Sequence, residues 1–137
     1  MNRFEGQVAI VTGGAPGIGG ATANKRASKG AKVFISDIND AAAAAKVPKI
    51  EQAGGTAVSS HVDVSQSEDI AHMVNEAADL YRRLDSLIQN VFGVIDGVSI
   101  IEGTALTVDE YGWDYRIYVL PKALFIGAKH AIPRHAR

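Results

Sequence analysis

The chain has 137 residues, close to the size of one domain. It carries 14 Lys and Arg against 15 Asp and Glu, so it offers no dense basic surface for nucleic acid or an anionic membrane. It has no cysteine, which excludes disulfides and thiolate metal sites. Its apolar stretches are shorter than the roughly 18 residues that cross a bilayer, and its N-terminal residues lack a signal-peptide core, so we expect a cytoplasmic protein.

Short apolar runs alternate with helical segments along the first 90 residues. The first two runs show no polar alternation, which is typical of parallel strands buried on both faces. The predicted strands are residues 7–12, 32–36, 56–62 and 84–90. Alternation of strand and helix predicts an α/β fold, with helices on both faces of a parallel sheet.

The helices between these strands have recognisable boundaries. The first is predicted over residues 21–28 and closes at Gly30. Asn39 and Asp40 are placed to cap the second, and Pro48 is expected to kink or end it. Residues 65–68, S-Q-S-E, fit a capping box that opens the third helix.

The pattern is weaker after residue 90. Residues 91–103 hold three glycines and are expected to form a loop. A helix is predicted to open at residues 107–110, and a further helical stretch covers residues 123–132. Pro121 lies between the two and is expected to break the helix.

A glycine-rich loop follows the first predicted strand. Glycine permits positive φ and close approach of a ligand, and the N-terminus of the following helix attracts phosphate. The spacing is Gly13-x-x-x-Gly17-x-Gly19, and an acid, Asp37, ends the second strand. A carboxylate in that position accepts hydrogen bonds from ribose hydroxyls, so these residues predict a dinucleotide site.

A nucleotide-triphosphate P-loop is the competing interpretation of this loop. Gly14 and Gly19 have its separation, but a P-loop needs Lys at position 20 and Ser or Thr at position 21. The chain has Gly20 and Ala21 there, which disfavours triphosphate hydrolysis.

Residues 12–19, T-G-G-A-P-G-I-G, resemble the T-G-x-x-x-G-I-G signature of the classical short-chain dehydrogenase/reductase family. Asp63 and Val64 look like the family's D-V pair, and residues 84–90, L-D-S-L-I-Q-N, resemble its L-D-x-L-V-N-N. The resemblance extends over almost the whole chain. It implies a doubly wound Rossmann fold with strand order 3-2-1-4, in which residues 1–137 form the N-terminal part of one longer domain, incomplete on its C-terminal side.

The resemblance also implies NAD as cofactor and assigns residues to it. The expected cofactor-binding residues are Gly13, Pro16, Gly17, Ile18, Gly19, Asp37, Ile38, Asp63, Val64 and Asn90. Pro16 and Ile38 occupy the positions where NADP-dependent relatives usually carry Lys or Arg. We therefore expect NAD rather than NADP.

The chain departs from the family pattern in its last third. Gln89 and residues 91–92 replace three positions of the N-N-A-G segment, and Leu120 replaces the Asn of the proton relay. The family's catalytic Ser and Y-x-x-x-K follow its fifth helix and are expected beyond residue 137. Tyr118 and Lys122 match Y-x-x-x-K literally, but Pro121 is expected to separate them, so no catalytic residue is predicted in this chain.

The function expected from the resemblance is that of an NAD-dependent oxidoreductase interconverting a secondary alcohol and a carbonyl. A homo-oligomer, a tetramer by resemblance, is expected, and this chain alone is expected to be inactive. The alternative is a non-catalytic dinucleotide-binding or interaction module. A metal site is not predicted, because the four histidines lack ligand spacing.

Overall fold

A computed structural model describes residues 2–91 and 104–135, which form four strands and four α-helices. The elements in chain order are β1 (Val8–Thr12), α1 (Gly17–Ala27), β2 (Lys32–Asp37), α2 (Asp40–Gln52), β3 (Thr56–His61), α3 (Ser67–Tyr81), β4 (Ser86–Gln89) and α4 (Glu110–Ala131), followed by a 3₁₀ turn (Ile132–Arg134). The predicted loop at residues 92–103 lies outside the described part of the chain.

The four strands form one parallel sheet in the order β3-β2-β1-β4. This confirms the strand order and the α/β fold expected from the sequence. All five residues of β1 are buried, as its unbroken apolar run predicts. Thr12, at the end of β1, is in register with Ser36 of β2 and Gln89 of β4, so these strands end together at one edge of the sheet.

Two apolar layers hold the helices to the sheet. Ile10 and Phe34 face α3 and α4, whereas Val11 and Ile35 face α1 and α2. Alternation of side chains along each strand therefore gives both faces of the sheet a buried layer. Full burial of side chains of this size stabilises the fold by about 1.5–3 kcal/mol each.

The two prolines do not interrupt the helices that contain them. Pro48 lies within α2 and Pro121 within α4, so neither residue ends its helix, and the break expected at Pro121 is wrong. A proline removes one backbone hydrogen bond, to the carbonyl four residues earlier. Residues 44 and 48, and likewise 117 and 121, are exposed, so water can reach the carbonyl that loses its partner.

The start of α3 also differs from its prediction. The helix begins at Ser67 with Gln66 as its N-cap, and no capping box forms at residues 65–68. Neighbouring carboxylates hold the preceding turn instead, because Asp63 Oδ1 accepts from the Ser65 N–H and Asp69 Oδ2 accepts from the Asp63 N–H. The predicted cap of α2 is confirmed, since Asn39 Oδ1 accepts from the Ala42 N–H at 3.0 Å.

Strand β4 lies at the side of the sheet, as expected. Among the described residues its only strand partner is β1. A hollow of about 720 Å³ lies beside it, lined by Leu84, Leu87 and residues 131–133 among others. None of the predicted cofactor-binding residues borders this hollow. It marks the unpartnered side of the sheet rather than the predicted binding edge.

No helix within residues 2–91 and 104–135 is both long enough and apolar enough to cross a membrane. The cytoplasmic location stays a prediction.

Candidate functional site: a cleft at the carboxyl ends of the strands

A cleft of about 510 Å³ lies at the carboxyl ends of β1, β2, β3 and β4. The structure brings nine of the ten predicted cofactor-binding residues to its wall: Gly13, Pro16, Gly17, Ile18, Asp37, Ile38, Asp63, Val64 and Asn90. These residues come from four separate loops that meet because the strands are parallel and end together. Ligands of doubly wound sheets bind at this edge.

Helix α1 points its N-terminus into the cleft. It begins at Gly17, four residues earlier than predicted, which places Gly17, Ile18 and Gly19 in its first turn. Within the described chain, no side chain caps this helix and its first turn carries no acid. The first N–H groups of a helix have no partner within the helix and carry partial positive charge. The end of α1 is therefore suited to an anion such as phosphate.

The glycines of this loop have different structural roles. Gly13 and Gly17 have φ values of +60° and +53°, a region that side chains rarely adopt. A Cβ on Gly17 would meet nothing within 4 Å, because this residue faces the open cleft. Gly19 does not line the cleft. A Cβ there would collide with the Gly13 carbonyl and lie 2.6 Å from Asn90 Nδ2, so Gly19 allows α1 to pack against the strand ends.

Asn90 connects the end of β4 to the glycine loop. Its backbone N–H donates to Thr12 Oγ1 at 3.0 Å, and its Nδ2 donates to the Gly13 carbonyl at 3.4 Å. These bonds hold β4, β1 and the loop together on one side of the cleft.

Asp37 lies beside the glycine loop, at the end of β2. Only 8% of the residue is exposed, and its carboxylate accepts two backbone hydrogen bonds. Oδ2 accepts from the Ala15 N–H at 3.2 Å and Oδ1 from the Asn39 N–H at 3.0 Å. Each carboxylate oxygen has two lone pairs, so both can accept another hydrogen bond. The carboxylate of Asp37 is thus held in place and can accept further hydrogen bonds from a ligand in the cleft.

Two exposed apolar side chains border the cleft. Ile18 is 79% exposed and Ile38 is 61% exposed, although both lie next to buried segments. Apolar side chains in this position would lose contact with water if a ligand covered them, which favours binding.

The short chain dehydrogenase family model matches residues 7–136. The chain belongs to the short-chain dehydrogenase/reductase family. Tropinone reductase-like 1 of Erythroxylum coca is 40% identical over 133 residues, covering 94% of this chain and 46% of that protein. A 2,5-dichloro-2,5-cyclohexadiene-1,4-diol dehydrogenase of Sphingobium indicum is 36% identical, covering 96% of this chain and 50% of that protein.

Solved structures give the same result for the fold. A putative short-chain dehydrogenase/reductase from Burkholderia xenovorans matches with a TM-score of 0.83 and 28% identity, over 96% of this chain and 50% of that one. A hydroxysteroid dehydrogenase from Escherichia coli matches with a TM-score of 0.78 and 27% identity, over 97% of this chain and 54% of that one. The chain spans about half the length of these relatives, and its four-stranded sheet is Rossmann-like.

Beside the cleft, the chain departs from the short-chain dehydrogenase/reductase pattern in how β4 meets α4. A small cavity of about 180 Å³ there is lined by Thr12, Val64, Gln89, Val91, Leu120, Ala123 and Leu124. Gln89, where the family has Asn, donates from Nε2 to the Leu124 carbonyl at 3.2 Å. Leu120, where the family has its relay Asn, gives this cavity an apolar wall that cannot hold a proton. The departures at Phe92 and Gly93 lie outside the described residues.

The pair Tyr118 and Lys122 differs from its prediction. Because α4 continues through Pro121, Lys122 Nζ donates to the Tyr118 hydroxyl at 2.8 Å, so the expected separation of the two side chains is wrong. Tyr118 is 61% exposed, and neither residue lines the cleft or the small cavity beside it. The spacing of the family's catalytic pair is therefore present on an outward side of the helix.

The sequence did not predict that α4 borders the cleft. Tyr115 and Val119 of this helix line it, together with Val62 and Val91. The expected break at Pro121 divided α4 into two short helices, which left no basis for placing residue 115 near the sheet. A single helical period over residues 110–131 would have placed residues 112, 116, 119 and 123 on one buried face and residue 115 beside it.

Proposed function

We propose that the protein is an NAD-dependent oxidoreductase that interconverts a secondary alcohol and a carbonyl, and that this chain supplies its dinucleotide-binding part. The observation that carries the proposal is the arrangement of the cleft. The N-terminus of α1, whose first turn has no acidic residue, faces the cleft. The carboxylate of Asp37 faces the same cleft. One end suits a pyrophosphate and the other a ribose diol.

The residues of the cleft fit the parts of NAD in order along its length. The first N–H groups of α1, at Gly17 and Ile18, would hold the pyrophosphate. The carboxylate of Asp37 would accept hydrogen bonds from the adenosine ribose hydroxyls. Ile38 and Val64 would pack against adenine, with Asp63 beside its amino group. When bound, NAD supplies the hydride acceptor of alcohol oxidation, and these residues position it.

Asp37 supports NAD over NADP. A 2′-phosphate on the ribose would lie within a few ångströms of this buried carboxylate. Two unit charges at about 4 Å repel by roughly 4 kcal/mol at an effective dielectric of about 20. One third of that energy, about 1.4 kcal/mol, is a tenfold difference in affinity. Pro16 and Ile38, which line the same end of the cleft, offer no positive charge in compensation.

The test is to measure the dissociation constants of NADH and NADPH with the wild type and Asp37→Ala. We expect NADH to bind at least about tenfold more tightly than NADPH in the wild type, with a smaller ratio in Asp37→Ala. Asp79→Ala is the matched control. It removes an exposed acid of α3 that pairs with Arg134 and does not line the cleft. Equal wild-type affinities, or a ratio unchanged in Asp37→Ala, would contradict the proposal.

A non-catalytic dinucleotide-binding or interaction module is the second candidate. It is favoured by Leu120, which leaves the small cavity beside the cleft without the proton relay of the family. The mass of the native polypeptide distinguishes the two candidates. A polypeptide about twice this length, like the matched relatives, supports the oxidoreductase, whereas a native chain of 14.5 kDa supports the binding module.

We also propose that the protein acts as a homo-oligomer and that α4 contributes to the contact. Six large apolar side chains of this helix are more than half exposed: Tyr111, Trp113, Ile117, Tyr118, Leu124 and Phe125. An apolar surface of this kind is typical of an interface rather than of a surface in water. Light scattering with size-exclusion chromatography should give a mass above the monomer, and Ile117→Glu should lower it.

A further inference from the structure

A histidine and an aspartate form a pair beside Asp37. His61 ends β3, and its Cα is the register partner of Asp37 at the end of β2. Residues in register on neighbouring strands, about 4.8 Å apart, project from the same face of the sheet. His61 Nδ1 lies 2.7 Å from Asp40 Oδ1, and the intervening Asn39 donates its N–H to Asp37.

The net charge of this pair depends on whether His61 carries a proton. The hydrogen bond with Asp40 raises the pKa of His61 above its usual value. Desolvation is the next largest effect and lowers it, and the charges of Asp40, Asp69 and Asp63 raise it further. Below that pKa the positive charge of the imidazolium and the negative charge of the Asp40 carboxylate cancel. Above it the ring is neutral, and the pair carries a net charge of −1 beside the carboxylate of Asp37.

We propose that the His61–Asp40 pair is a second determinant of cofactor specificity, which makes the exclusion of a 2′-phosphate stronger as the pair loses its proton. The inference rests on the proposed binding of the adenosine ribose at Asp37. A phosphate on that ribose adds negative charge near the pair, whereas the diol of NAD adds none. The pair therefore acts on NADPH binding and leaves NADH binding nearly unchanged.

The other charged groups around His61 do not reproduce this effect. Asp40 faces it from α2, Asp37 from β2, Asp63 from the segment after β3, and Asp69 from α3. All four are carboxylates, so His61 is the imidazole among these groups. The bond with Asp40 raises the pKa of this ring above its ordinary value, so His61 is protonated at acidic pH and loses its proton as pH rises.

The experiment measures the ratio of NADPH to NADH dissociation constants between about pH 5.5 and 8 at low ionic strength, with the 137-residue chain. The phosphate of NADPH also titrates near pH 6, but it does so equally with every variant. The NADPH-to-NADH ratio should rise with pH in the wild type by a factor about two to five times larger than in His61→Gln, which has no titrating ring. His72→Gln, whose histidine pairs with Glu76 along α3, should follow the wild type.

Two further variants make the result independent of one substitution. Asp40→Asn should lower the ratio at pH 8, and His61→Lys should keep it low at every pH. Parallel profiles of the wild type and His61→Gln, with NADH bound normally, would overturn this inference alone. Absence of NADH binding by the wild type would instead overturn the proposed function.

Discussion

Gly17 offers a direct test of the cofactor site, because the chain contains a matched control. Gly17 and Gly54 both have positive φ, +53° and +81°, and a Cβ on either would meet nothing within 4 Å. Gly17 borders the cleft, whereas Gly54 lies in the turn between α2 and β3. Valine at either position is forced into the left-handed region, which costs about 1–2 kcal/mol or more for a β-branched residue.

The two variants should therefore lose similar stability and differ in binding. For a chain of this size, about 1–2 kcal/mol corresponds to a decrease in Tm of roughly 4–8 °C. Only Gly17→Val places a branched side chain where the pyrophosphate would approach the first N–H groups of α1. Loss of one hydrogen bond to a charged group costs about 1.5–3 kcal/mol, so the affinity for NADH should fall at least about tenfold.

The assay is a titration that follows the fluorescence enhancement of bound NADH, with Tm measured on the same samples. Gly54→Val should bind NADH like the wild type at a temperature well below both transitions. Unchanged binding in Gly17→Val would show that the pyrophosphate does not lie at this loop. Equal losses in both variants would assign the effect to stability rather than to the site.

Three other predictions concern stability and turnover. Arg82, at the end of α3, has a φ of +61°, so Arg82→Gly should raise the free energy of unfolding by about 1 kcal/mol, measured by denaturant titration. The hydrogen bonds from the Arg83 side chain and the Val8 N–H lower the pKa of Asp85. The ionised Asp85 therefore stabilises the fold fully above the unfolded pKa of about 3.9, and this contribution is lost as pH falls through the lower folded pKa. Asp85→Asn should accordingly lower Tm at pH 7 and flatten its decrease below about pH 4 in thermal melts. The isolated chain should show no NADH production from secondary alcohols, because Leu120 cannot relay a proton and general acid–base catalysis contributes about 10²–10⁴-fold to the rate. Robust turnover would contradict this prediction and would implicate Tyr118 and Lys122 of α4.

The α/β class and the meeting of the glycine loop with Asp37 were predictable from local patterns, whereas the strand order and the other cleft residues were predicted from the family resemblance. Buried runs without alternation identify the parallel strands, and parallel strands bring their carboxyl ends to one edge. The loop at Gly13 and the acid at Asp37 therefore had to meet, whatever the details of packing. The cap at Asn39 was predictable for the same reason, since it involves residues three positions apart.

The errors arose where tertiary contacts outweigh local preference. Pro121 disfavours a helix locally, but burial of residues on both sides of it, such as Val119 and Ala123, keeps α4 continuous. Nothing in the residues around Ser65 indicated that Asp69 would bind the Asp63 N–H and replace the capping box. The pairing of His61 with Asp40 was equally hidden, because it joins residues 21 positions apart.

The contact between β4 and α4 has a consequence for how this chain can change over evolutionary time. A Cβ on Gly127 would lie 2.6 Å from Gln89 Oε1 and 2.9 Å from its Cδ, so a side chain at position 127 requires the flexible end of Gln89 to move. Gly127→Ala alone should have a small cost, because the end of the Gln89 side chain can move, and the same change combined with Gln89→Asn should cost less still. Residues in direct contact commonly show interaction energies of about 0.5–3 kcal/mol in double-mutant cycles. The two positions are thus coupled, and the length of the side chain at position 89 sets how readily position 127 can vary.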